Sequence, residues 1–211
     1  YKIWSLTSSN AYSAGLKKSI STLGGAQAVS QFQNSFENTS ADNWTYTTSP
    51  AAYNFNSDLW DTVRTNGTIN SGSEGAVFWG IRDLNNTNGG GNFYHELNFQ
   101  TINISGLSNV ELSFDYYAEA FESSDVLEYE LTLDGSSGGS NVVFVGGTGG
   151  LSSTGWQEIK VSIPAGTNSL SLKLRAKQDG GTDYAGFDNI RISSSLSPPS
   201  LVLTNYSPTA I

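Results

Sequence analysis

Apolar and polar residues alternate along most of the second half of the chain. Over 109–120, Val110, Leu112, Phe114, Tyr116 and Ala118 fall on one face of an extended segment, and Glu111, Ser113, Asp115, Tyr117 and Glu119 on the other. The stretch 126–134 repeats this, setting Leu127, Tyr129, Leu131 and Leu133 against Glu128, Glu130 and Thr132. Ile159, Val161 and Ile163 alternate through 157–163, and Leu170, Leu172, Leu174 and Ala176 through 168–177. Further strands are predicted over 29–37, 76–82, 93–104, 141–145 and 183–193. Turn chemistry separates them at Asn66-Gly67, 85–92, Asp134-Gly135, Pro164-Ala165-Gly166 and Asp179-Gly180-Gly181. Helical periodicity is confined to 11–23, a short and weakly amphipathic stretch. About nine or ten strands with one apolar face each hide those faces by packing sheet on sheet. The pattern therefore predicts an all-β chain, a jelly-roll β-sandwich of two antiparallel sheets spanning 31–194. Residues 1–30 read as an N-terminal linker or upstream remnant. The stretch 195–211, with Pro198-Pro199 and Pro208, reads as an extended tether toward other domains of the same larger chain.

Composition narrows the function classes. The 211 residues carry 10 Lys+Arg against 19 Asp+Glu, a formal net charge of -9, and no cysteine. Thiolate-held zinc, iron–sulfur clusters, disulfides and thiol catalysis are excluded. The negative charge repels a phosphate backbone, so no nucleic-acid partner is expected. The absence of a long apolar run argues against membrane insertion. A start at Tyr1 without an initiator Met is expected of a processed chain or an excised piece from which any signal peptide has gone, and a secreted or cell-surface location is expected.

Five ordered segments carry a family resemblance: Phe36-Glu37-Asn38; Ala41-Asp42-Asn43-Trp44-Thr45-Tyr46; Phe78-Trp79-Gly80-Ile81-Arg82-Asp83-Leu84-Asn85 with Gly89-Gly90-Gly91; Leu112-Ser113-Phe114-Asp115-Tyr116-Tyr117; and Asp183-Tyr184-Ala185-Gly186-Phe187-Asp188-Asn189-Ile190-Arg191-Ile192. Together they resemble the jelly-roll modules of secreted and surface proteins of Bacteroidota-type bacteria, related to MAM-like, "choice-of-anchor" and carbohydrate-binding-module sandwiches. The resemblance implies a calcium ion that pins the first strand to the last through an acid after the opening Phe and an acid in the closing strand, here Glu37 and Asp188. Calcium takes oxygen ligands from carboxylates, amides and carbonyls, in which this chain is rich. Asp83 and Asn85, followed by Asn88 and Gly89, place oxygen side chains at intervals suited to a tight oxygen-lined loop. The same residues also suit simple turn capping. Glu37, Asp83, Asn85 and Asp188 are the candidate metal ligands.

Two places suit a polysaccharide or surface glycan, the expected partner. If the alternating strands share a sheet, Tyr117, Glu128, Glu130, Trp156 and Arg175 lie on one polar face. There, ring faces and planar polar groups could match a sugar's C–H faces and hydroxyls; the other reading is a solvated face of cross-strand ion pairs. The aromatic stretch with Trp44, Tyr46 and Trp60, and Tyr184 beside the closing strand, could instead line the rim of the sandwich or plug its end. Glu128 and Glu130, about 7 Å apart by strand rise, permit a catalytic pair. They do not match the acidic motif of jelly-roll endoglucanases, and His95 alternates with core residues. Sequons occur at Asn38, Asn43, Asn66, Asn85, Asn103 and Asn205. The expected function is a non-catalytic, calcium-stabilised glycan-binding module. A structural or adhesive spacer, or part of a polysaccharide-degrading enzyme, are the alternatives.

Overall fold

The computed structural model describes residues 28–85 and 94–195. The 11–23 helix, the Asn88–Gly91 part of the oxygen-rich loop, Asn205 and nearly all of both expected linkers lie outside the described residues. Thirteen strands and no helix occur among those described: β1 (Ala28–Asn34), β2 (Tyr46–Ser49), β3 (Tyr53–Phe55), β4 (Asp58–Val63), β5 (Phe78–Arg82), β6 (His95–Phe99), β7 (Ile102–Asn103), β8 (Ser108–Glu119), β9 (Val126–Leu133), β10 (Ser136–Val145), β11 (Gln157–Ser162), β12 (Ser169–Lys177) and β13 (Tyr184–Ser195). The chain is an all-β sandwich of two antiparallel sheets, as its alternation predicts. The first sheet runs β11-β8-β13-β5-β4-β3, with β1 also paired to β13; the second runs β10-β9-β12-β6-β2, with β7 on β12.

Alternation sets the core. Leu112, Phe114 and Ala118 of β8 and Phe187 of β13 meet Leu127 of β9 and Leu172, Leu174 and Ala176 of β12 between the sheets. Trp44, Trp60 and Trp79 are fully or almost fully buried in the same core. At Asp134-Gly135, where both residues have positive φ, a two-residue turn joins β9 to β10. Asp134 Oδ1 accepts from the amides of Asn168 and Ser169 at 2.9 and 2.8 Å, tying that turn to β12.

Two departures from strict alternation matter. β2, β3 and β4 occupy 46–63, where the sequence pattern is too irregular to predict strands. In β4, Leu59 and Trp60 are consecutive, point to opposite faces and are both buried. In β13 a register shift follows Asp188, with Asn189 at φ 56°. This bulge lets Phe187 and Ile190 both face the core while Asp188 faces outward.

Under segment 64–77 the sheet makes room with glycine. A Cβ on Gly186 would stand 2.7 Å from the Phe78 ring and 3.0 Å from that of Trp156. Gly186→Ala is expected to destabilise by about 1–3 kcal/mol through overpacking, seen as a lower Tm with the two-sheet circular dichroism spectrum retained.

Candidate functional site

The two outer faces of the sandwich are chemically different. On the first sheet, segment 64–77 is fastened down at every turn. The Asn66 side-chain amide donates to the carbonyls of Ile81 and Ala185 at 2.9 and 3.1 Å, so this sequon residue is buried as a structural tie. Gly67 packs against the Tyr184 ring, Thr68 hydrogen-bonds to Glu119, and Trp156 Nε1 donates to the Ser71 carbonyl at 3.1 Å. Asp188 Oδ2 accepts from Ser73 Oγ at 3.1 Å and from the Glu74 amide at 3.0 Å, while its Oδ1 takes the Asn189 amide at 2.7 Å. Burial pushes the Asp188 carboxyl up to about 7. Glu37, just past β1, accepts from the amides of Ala76 and Val77, the latter at 2.6 Å, and these bonds hold its carboxyl below the usual range.

Glu37 and Asp188 therefore grip one loop from two sides, and oxygens crowd the loop at Gly72. A Cβ on Gly72 would lie 2.6 Å from Asp188 Oδ2 and 2.8 Å from the carbonyl oxygens of Glu74 and Val77. Three oxygens thus converge on one point. Asp83 and Asn85 do not join them. Asp83 follows β5 directly, five residues beyond Phe78 and about 16 Å along the strand direction from the level of Asp188. There burial and the neighbouring Asp58 raise its carboxyl. Asn85 is exposed nearby. The four expected metal ligands thus divide into a pair at the loop and a pair at the opposite strand end.

The expected single glycan face divides likewise. Tyr117 and Trp156 lie on the first sheet, where Trp156 packs edge-on against Phe78 and Tyr117 with centroids 5.4 and 5.7 Å apart; both rings are half-buried beside the loop. Tyr184, also half-buried, is covered by Gly67 and lies under Arg82. Trp44 and Trp60 are core residues, against the rim expectation. Trp44 Nε1 donates to the Gln100 carbonyl at 2.8 Å, and Trp60 packs on Trp79 and His95. Full burial excludes both from stacking on a ligand. Tyr46 is half-buried among Phe36, Trp79 and Phe99 and lines a groove of about 440 Å³ with Asp42 and Thr62.

Glu128, Glu130 and Arg175 do share a face, on the second sheet. Strand register sets two rows across it: Ser49, Glu96, Arg175, Glu128 and Val142; and Thr47, Asn98, Lys173, Glu130 and Ser140. Lys173 Nζ is 3.4 Å from Glu96 and 3.9 Å from Glu130. Arg175 lies 3.4 Å from Glu96, 3.5 Å from Glu128 and 3.1 Å from Ser140 Oγ. Its guanidinium stacks over the Tyr94 ring at 4.0 Å, and Tyr94 Oη donates to Glu128 at 3.3 Å. Ser137 and Ser140 donate to Glu130 and Glu128 at 2.5 and 2.8 Å. Burial and the Glu128 charge raise the Tyr94 phenol, so it remains a donor. Tyr94, Glu96 and Asn98 escaped the sequence reading, although Glu96 and Asn98 alternate with His95, Leu97 and Phe99. That alternation was the available signal.

No family model and no curated relative matches the chain. Among solved structures, it is similar to TmCBM61 in complex with beta-1,4-galactotriose (13% identity, 75% of this chain and 92% of that one, TM-score 0.46). It is also similar to the K3 cleaved adhesin domain of Lys-gingipain from Porphyromonas gingivalis (17%, 79% and 100%, 0.46). A third is a Stig cyclase from Fischerella sp. (13%, 80% and 98%, 0.48).

The side chains of the second-sheet network are only 12–32% exposed, unlike the Lys160–Glu158 pair, which is about half exposed. Arg175→Ala, which leaves Glu96 and Glu128 without their shared partner, is expected to cost about 1–3 kcal/mol. Lys160→Ala is expected to leave the Tm unchanged. Parallel thermal melts check the contrast.

Proposed function

We propose that the chain is a non-catalytic, calcium-stabilised glycan-binding module of a secreted or cell-surface multidomain protein, and that its glycan surface is the outer face of the second sheet. The observation that carries this reading is the pair of polar rows. Planar carboxylate, guanidinium and amide groups stand in register across five strands, held in fixed rotamers by one another. Such groups match the paired hydroxyls of a sugar ring, and pre-ordering them lowers the entropy lost on binding. On the first sheet, segment 64–77 packs beside the aromatic rings of Tyr117 and Trp156 and half-buries them.

The face is suited to binding more than to chemistry. Glycoside hydrolysis needs one carboxyl held as an acid and one free to act as base or nucleophile. Glu128 and Glu130 instead each accept a hydrogen bond and pair with a cation, so neither stands free to act as base or nucleophile.

Supporting calcium at the Gly72 cradle are a carboxylate oxygen and two backbone carbonyls gathered beside Gly72, with Glu37 bonded to the same loop; hard oxygen donors of this mixture suit that ion. Asp188 and the carbonyls of Glu74 and Val77 would hold it, with Glu37 fixing the loop. Bound there, it would offset the charge of the buried Asp188 carboxylate.

Binding is tested on a glycan array followed by calorimetry. A hit in the micromolar to millimolar range, about -4 to -8 kcal/mol, is expected. Tyr94→Ala and Glu96→Gln should weaken it by on the order of tenfold or more, a loss of about 1.4 kcal/mol or greater, and Trp156→Ala should not. No binding to any glycan would favour a spacer, and product release from polysaccharide would overturn the non-catalytic reading. For the metal, a chelator is expected to lower the Tm, and Asp188→Asn to shrink that drop. Equal drops in both proteins would remove calcium from the Gly72 cradle.

A further inference from the structure

Away from the Gly72 cradle, two turns bring four carboxyl groups together. Glu122 and Asp125 belong to the β8–β9 connection, and Asp179 and Asp183 to the β12–β13 connection. The ligand oxygens of Glu122, Asp179 and Asp183 all lie within 4.8 Å of one another, about twice a calcium–oxygen distance. Asp125 interacts with Asp183 and Asp179 from the buried side of the group. Glu122 and Asp179 are exposed; Asp125 and Asp183 are only 1% and 3% exposed.

The second observation concerns the buried pair. Asp125 Oδ2 accepts the Glu122 amide at 2.8 Å, closing its own turn, but Asp125 Oδ1 and Asp183 Oδ2 are both buried with no donor from any other residue, the two carboxyls lying within hydrogen-bonding reach only of each other. Asp183 Oδ2 is turned against Gly180, the neighbour of Asp179. A buried carboxylate oxygen without a donor is costly, and here two such oxygens face the same group of acids. None of the four acids takes part in an ion pair with Lys, Arg or His among the described residues. A proton shared between Asp125 and Asp183 would satisfy those two oxygens. It would still leave the exposed oxygens of Glu122 and Asp179 converging on the same point without a counter-charge.

Both turns are otherwise well braced. The Gln178 side chain donates to the carbonyls of Gly180 and Asp183, and the Asp125 carbonyl accepts the Gly146 amide at 2.9 Å. The carboxylates are thus presented by rigid backbone. We infer that Glu122, Asp125, Asp179 and Asp183 form a second divalent-cation site, of calcium type, that ties the β8–β9 turn to the β12–β13 turn. Oxygen-only donors and a mixture of buried and exposed carboxylates suit calcium, whose coordination number and geometry are permissive. The site borders the polar face of the second sheet, since Val126 and Lys177 pair at the first step beyond it.

The test uses the full chain stripped with a chelator and titrated calorimetrically with calcium chloride. One binding event is expected to survive Asp188→Asn and to weaken by on the order of tenfold or more in Glu122→Gln/Asp179→Asn. Both of those substitutions are at exposed positions, and an unchanged chelated Tm will show that the double variant folds. Asp125→Asn should remove the same event. The inference is overturned if the double variant titrates like the parent. It is also overturned if Asp125→Asn raises stability equally with and without calcium, the signature of a shared proton. Loss of the event on Asp188→Asn alone would assign all calcium binding to the Gly72 cradle and overturn it too.

Discussion

The fold turns on a fully buried carboxylate. Asp188 sits on the outer side of β13, yet no part of it reaches solvent, because segment 64–77 is drawn across it by hydrogen bonds from Ser73 and Glu74. Burying a carboxyl is favourable only where donors or a cation replace its water. The bulge at Asn189 aims it, and its own backbone supplies a donor. Glu37 performs the matching task just past the end of β1, so the loop adds a second tie between the entry and exit strands, which already pair directly. In a chain without cysteine, strand pairing and this loop together fasten the ends of the sandwich.

That fastening makes the two faces unequal. Over the first sheet, the loop turns Phe78, Leu59 and Ile69 into a second, smaller apolar layer outside the main core. It also half-buries the rings that a sequence reader would choose as sugar platforms. The second sheet has no such cover among the described residues. Its outer side chains satisfy one another laterally, acid to base across neighbouring strands, and so remain ordered at the surface. Order without cover is the condition a recognition surface needs, and it underlies the proposal that ligand binds there.

Much of the fold was legible because burial follows period-two alternation wherever a strand is covered on one side. β8, β9, β11 and β12 were readable for that reason. β4 was not: Leu59 and Trp60 are consecutive, buried on opposite faces, and erase the alternation. At the site, Glu37 and Asp188 were found through a family resemblance and do meet at one loop, whereas Asp83 shares their chemistry but lies at the wrong end of β5. The grouping of Tyr117 and Trp156 with Glu128 and Arg175 failed because alternation says which side of a strand faces out, and never which sheet the strand joins. Trp44 and Trp60 illustrate a further limit. Large rings in an irregular stretch look like a rim, but a sandwich this rich in small polar residues needs them to fill its core.

The proposal that glycan is bound on the outer face of the second sheet, and not beside segment 64–77, is tested by amide chemical-shift mapping with a soluble oligosaccharide titrated into isotope-labelled protein. Perturbations are expected to concentrate at Glu96, Asn98, Glu128, Lys173 and Arg175, with Tyr117, Trp156 and segment 64–77 unmoved. Perturbations centred on Trp156 and that segment would contradict it.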